Sequence, residues 1–124
     1  NLRYAVGECG SYWVGDLLWK ADVNFGASFK VKKMGSRMKG LISRLPSEYF
    51  GDNVFIGAST MSREEVRRRH VNGIDALMWG TDYPHPEGFR HPVSFVDHLP
   101  ESLSSEDTAR VMGGNLQELL HLES

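Results

Sequence analysis

Apolar and polar positions change period several times along the chain, and each change marks an element. Residues 2–7 alternate, with Leu2, Tyr4 and Val6 on one side, the two-residue period of a strand. Glu8-Cys9-Gly10-Ser11 then breaks the pattern with a polar turn. From 12 to 25 the spacing lengthens to three and four, placing Trp13, Leu17, Leu18, Ala21 and Phe25 on one stripe of an amphipathic helix. Residues 26–40 lose the pattern, gain Lys30, Lys32, Lys33, Arg37 and Lys39, and read as a basic surface excursion. A helical turn started by Ser47 spans 45–50 and leads into a second strand at 53–58. Ser62 with Glu65 three residues on predicts a capping box. Glu64 with Arg68 and Glu65 with Arg69 then support that helix, and Gly73 closes it.

The third strand is expected at 76–80, where Ala76-Leu77-Met78-Trp79 runs apolar without a break into Gly80. Such a run suits a strand buried on both faces. Pro84 and Pro86 bar any continuation into helix or sheet interior, so a stiffened loop follows. Beyond it lie an apolar segment at 93–99 and a helix at 105–112. A last helix, capped by Asn115, carries Leu116, Leu119, Leu120 and Leu122. Strands separated by helices imply an α/β fold with parallel pairing and right-handed crossovers. The three βα units are too few to close a barrel, which takes eight and ~250 residues. Either a small open sheet or the last three-eighths of a barrel is expected. The opening Asn1-Leu2-Arg3-Tyr4-Ala5-Val6 lacks Met and begins almost inside a strand. The expectation is therefore that 1–124 is the C-terminal fragment of one longer domain.

Composition narrows the function classes. Of 124 residues, 40% are apolar and 24% charged, the balance of an ordinary globular protein. A net charge of −2 gives no electrostatic case for nucleic acid or an anionic membrane. Arg67, Arg68 and Arg69 follow two glutamates on a helix and read as a solvated face. Cys9 is the single cysteine, so no internal disulfide forms, and Glu8 beside it disfavours a thiolate. No apolar run approaches the ~18 residues of a membrane span. A cytoplasmic protein acting on a small molecule is the expectation, with homo-oligomerisation open. No Ser-His-Asp set, phosphate loop or dinucleotide fingerprint is present.

Chemistry in a parallel α/β sheet collects at the strand C-termini. Three positions qualify: Glu8, the Gly57-Ala58-Ser59-Thr60 end, and Asp82. A carboxylate where a buried strand ends is desolvated unless it meets a cation, N–H donors or a metal. Asp82 is in that position, with a loop cap or an arginine pair as the plain alternatives. Glu8 could share its rim, and two carboxylates in different surroundings can divide acid and base roles. A salt bridge is the plain alternative for Glu8. His85 would contact substrate or orient Asp82, or else be an ordinary loop histidine. Trp13 would line the pocket mouth or join the core.

Trp79-Gly80-Thr81-Asp82-Tyr83-Pro84-His85-Pro86-Glu87-Gly88 resembles the last-strand motif of amidohydrolase-related metal-dependent enzymes. That group includes aminocarboxymuconate-semialdehyde decarboxylase. Gly7-Glu8-Cys9-Gly10-Ser11-Tyr12-Trp13 resembles the sixth strand and its loop, and Leu45-Pro46-Ser47-Glu48-Tyr49-Phe50 with Asn53-Val54-Phe55 the lead-in to the seventh. Gly114-Asn115 and the closing leucines resemble the terminal helix. The resemblance implies a TIM-type (β/α)8 barrel and a divalent metal, zinc first and manganese as the alternative. It makes Asp82 a metal ligand that also handles a proton, with Glu8, Trp13 and His85 facing substrate. The family's His-x-His pair and strand-five histidine have no counterpart in the chain, and zinc wants three or four protein ligands. The chain alone is therefore expected to be inactive. Glu8 stands where the decarboxylase branch has a histidine, which leaves hydrolysis and decarboxylation both open. A non-catalytic α/β module that binds a partner through open sheet edges is the reading from another class.

Overall fold

The computed structural model describes residues 2–28, 30, 41–58, 61–69 and 73–122. Most of the basic excursion, the Ser59-Thr60 end of the second strand and residues 70–72 lie outside them. Three strands, β1 (Tyr4–Val6), β2 (Val54–Ala58) and β3 (Leu77–Trp79), form a parallel sheet in the order β1-β2-β3. Tyr4 pairs with Val54 and Val6 with Ile56, while Ile56 pairs with Leu77 and Ala58 with Trp79. Parallel pairing is as expected; the strands are shorter. Residues Ile74–Ala76 form a 3-10 turn, so β3 begins one residue later than its apolar run and stops before Gly80.

The in-register partners Ile56 and Leu77 share one face with Trp79 two residues on. On that face Leu77 and Trp79 pack with Met61, Val66, Phe95, Leu99 and Val111 to make the core. Met78 points the other way and is also buried, so β3 is covered on both sides as its composition requires. Trp79 stacks on Phe95 at 4.4 Å between ring centroids, and Phe89 meets both rings edge-on. Such pairs add about 0.5–1.5 kcal/mol beyond their buried area. Phe95 comes from the 3-10 helix Pro92–His98, the form taken by the apolar segment expected at 93–99.

Among the described residues four α-helices accompany the sheet: α1 (Val14–Ser28), α2 (Arg63–Arg67), α3 (Ser105–Ala109) and α4 (Asn115–Leu120). Of the stripe expected over 12–25, Trp13, Leu18, Ala21 and Phe25 are half-buried and Leu17 is exposed, while Val14 is fully buried. The helix rests on the 3-10 turn Pro46–Tyr49, where the Ser47 N–H donates to Asp22 Oδ1 at 3.0 Å. That turn starts at Pro46, not Ser47. Glu48 closes it by accepting from the Leu45 N–H at 2.6 Å. On α2 the capping box forms, but the side-chain pairs differ from expectation. Glu64 lies 3.8 Å from Arg67, Arg68 sits over the Tyr12 ring at 5.6 Å, and Glu65 turns inward.

Asn115 does not cap the last helix. A kinked π-turn, Arg110–Gly114, runs straight into α4, so Asn115 already has a helical backbone and its side chain is fully buried. Its Nδ2 donates to the Ile74 carbonyl at 2.9 Å and to the Leu77 carbonyl at 2.7 Å. One amide thus ties the C-terminal helix to the entry of β3. Removing it leaves two buried carbonyls without that donor. Asn115→Ala is expected to lower stability by about 2–3 kcal/mol, read as a lower urea midpoint at unchanged slope.

Candidate functional site

The C-terminal rim of the sheet is built by residues that leave the strands in an unusual backbone. Glu8, after β1, has φ 57°, and Asp82, after β3, has φ 53°. Both lie in the left-handed region that costs an ordinary side chain about 1–2 kcal/mol. Such strain persists only where surrounding structure enforces it, and it gathers at functional sites. Both carboxylates singled out in the sequence therefore sit on constrained rim backbone.

Asp82 is half-buried, and no described residue bonds its carboxylate. The loop after it closes by two successive turns. The His85 N–H donates to the Asp82 carbonyl at 2.8 Å and the Gly88 N–H to the His85 carbonyl at 2.9 Å. The Phe89 N–H returns to the Thr81 carbonyl at 2.7 Å, and Phe89 anchors the loop on the core aromatics. Gly88 is required here, because a Cβ would lie 2.7 Å from the Asp82 carbonyl oxygen. Folding the loop back on itself brings Asp82, His85 and Glu87 together, with one ligand atom of each within 4.8 Å of the others. His85 Nδ1 is 3.8 Å from Glu87 Oε1, and both side chains are exposed. Those three residues are the donor set that could hold a cation. Spacing alone does not single out Glu87; its place five residues after Asp82 on a doubly proline-stiffened loop is the available signal.

A cleft of about 390 Å³ is lined by Tyr83, Pro84, His85, Pro86, Gly88 and Arg90. A second, of about 280 Å³, lies over the strand ends and takes in Glu8, Gly57, Met78, Trp79 and Gly80. Glu8 is exposed and lines the second cleft, while His85 lines the first, so these two candidates do not converge. Trp13 lines neither of these clefts. Its indole Nε1 donates to the Cys9 carbonyl at 3.1 Å and the Gly10 carbonyl at 2.9 Å, which fixes the turn after Glu8.

A family model described as amidohydrolase matches residues 1–122. The chain belongs to the amidohydrolase family. The match is to the family as a whole and does not single out its decarboxylase branch. Amidohydrolases are TIM-barrel enzymes of metal-dependent hydrolase and lyase type, and the three-stranded parallel sheet is consistent with part of such a barrel. They generally bind divalent metals, and the Asp82, His85 and Glu87 donor set has the chemistry for one. No curated protein matches the chain. No described helix is long and apolar enough to cross a membrane.

The left-handed rim backbone makes a stability prediction. Glycine adopts φ 57° without the Cβ penalty, so Glu8→Gly is expected to be more stable than Glu8→Ala by about 1 kcal/mol. Thermal melts of the two variants check it; an alanine variant as stable as the glycine one removes the strain.

Proposed function

We propose that this amidohydrolase segment contributes the last-strand acid of a metal-dependent hydrolase acting on a small organic substrate. The supporting observation is the Asp82 carboxylate, half-buried and unbonded among the described residues, at the end of the buried strand β3. A carboxylate left in that state is available to a cation and to a proton in a way that a salt-bridged one is not. In the barrel completed by upstream βα units, Asp82 ligates the divalent metal, zinc or manganese, and accepts a proton. When bound, the metal supplies Lewis acidity that polarises a carbonyl and brings the pKa of water towards neutrality. Glu8 lines the neighbouring cleft, where its charge orients substrate. His85 faces the loop-side cleft, and Trp13 holds the turn that presents Glu8.

Decarboxylation by the same site is the second reading. Glu8 bears on it directly, because an exposed glutamate stands at the end of β1 where the decarboxylase branch has a histidine. Hydrolysis is therefore the reading we prefer.

The experiment is an assay with added zinc or manganese against small amides, esters and carboxylates, reading both hydrolysis and CO₂ release. The 124-residue chain alone is expected to show no turnover. With the upstream βα units present, hydrolysis is expected, and Asp82→Asn lowers kcat/KM by about a thousandfold. Asparagine tolerates the left-handed backbone at this position, so a loss of folding does not explain that loss. Turnover that survives Asp82→Asn overturns the role of the acid. Robust turnover by the chain alone overturns its dependence on outside ligands.

A further inference from the structure

We propose that α4 is a displaceable strap across one face of the sheet, and that it swings off this face about Asn115 when upstream βα units close the barrel. The inference rests on the proposed function only in taking those units to be present.

The faces follow from the strand register. Leu77 and its partner Ile56 lie on the side of the core and of α2, so Phe55 and Met78, each one residue away, point to the other side. Gly57 sits in register with Met78 on that second face. Phe55 is fully buried and Met78 nearly so, which means that the second face is covered. Two contacts place α4 against it. Leu116 walls the 280 Å³ cleft together with Gly7, Gly57 and Met78. The Arg3 guanidinium, at the foot of β1, donates to the Glu118 carbonyl. From Asn115, tied to the entry of β3, the helix therefore crosses the sheet towards β1.

A closed barrel leaves no room for a helix there. In a (β/α)8 barrel the helices form an outer ring, and the opposite face of the sheet encloses layers of side chains from the strands themselves. A helix about 10–12 Å across cannot share an interior packed to that density. The strap and a completed barrel thus compete for the surface floored by Phe55 and Met78. The hold on the strap is light. Leu116 and Leu120 remain 42% and 55% exposed, and Glu118 meets Arg110 at 3.2 Å between partly exposed side chains. The pivot is built in, because the backbone leaves helical geometry at Gly113 and Gly114 follows, immediately before the tethered Asn115. Paired glycines absorb a change of direction at such a kink. In the strapped form Leu116 narrows the cleft beside Glu8, and release of α4 opens it.

Spin labels on the native, exposed Cys9 and on Leu120→Cys, a substitution at an exposed site, read the strap by pulsed electron paramagnetic resonance. The 124-residue chain is compared with the same chain extended by its upstream βα units, any upstream cysteines being replaced by serine. One distance is expected in the 124-residue chain, changing by about 5 Å or more on extension, since Leu120 lies ~7.5 Å along the helix from Asn115. An unchanged distance overturns the inference, whether or not the extended protein turns over substrate. So does a 124-residue chain that already shows the distance of the extended one. An inactive extended protein that shows the shift leaves the strap standing and counts against the proposed hydrolase alone.

Discussion

The rim of this sheet depends on one buried carboxylate. Glu65 is almost fully enclosed, and removing a charge from water costs several kcal/mol unless donors replace the lost hydration. Here they do. Oε1 accepts from the Ser11 N–H at 2.6 Å and the Ser11 hydroxyl at 3.2 Å, and Oε2 accepts from the Ser62 N–H at 2.9 Å. The Ser62 hydroxyl in turn accepts from the Glu65 N–H and contacts the Tyr12 hydroxyl at 2.9 Å. Two loops, one after β1 and one after β2, are locked together by a single side chain. Gly10 is the concession that lets them meet: its φ is 57°, and a Cβ there would lie 3.0 Å from Glu65 Oε1. Strands of three and five residues carry too few ladder bonds to set their loops unaided, so Glu65 determines where Glu8 stands.

Asn115 does the corresponding work at the opposite end of β3, where its amide spans two carbonyls of the strand entry. Between these polar ties lies the aromatic stack of Trp79, Phe89 and Phe95, which joins the core to the loop bearing Asp82. Hydrophobic burial supplies most of the cohesion, but it is non-directional. The two polar side chains supply direction and fix the register in which the apolar surfaces meet. Around the periphery the ion pairs, such as Lys20 with Asp16 and Arg44 with Asp52, involve well-exposed side chains and contribute little.

Much of this was legible because it is local. The strand at 77–79, the loop after Gly80 and the cap at Ser62 each follow from a few adjacent residues, and the amidohydrolase motif lies within ten. What escaped is non-local. The second function of Glu65, its bond to Ser11, spans 54 positions, and nothing in the capping box announces it. Asn115 before a leucine run has the look of a cap, yet its partners lie 38 and 41 residues back. The stripe on α1 is half-buried at four of its five positions, but periodicity gives a helix face without saying what covers it, and Leu17 stays exposed. Glu87 was overlooked for a different reason: a proline-rich loop has no period, so only its turns reveal which side chains converge.

That division bears on where chemistry can sit. Glu8 and Asp82 both occupy left-handed backbone immediately beyond a strand, a conformation that relaxed chain would leave. Glu8 is held there at long range, through Glu65 and the turn that Trp13 fixes, whereas Asp82 is held by its own loop through bonds to His85 and from Phe89 to Thr81. Disturbing α2 should therefore move Glu8 and its cleft while leaving the Asp82 loop in place. Asp82, the acid we propose for the site, is thus carried by the part of the rim least dependent on the rest of the fold. A locally built loop can keep its geometry while the sheet around it varies, and the surrounding clefts are then free to change.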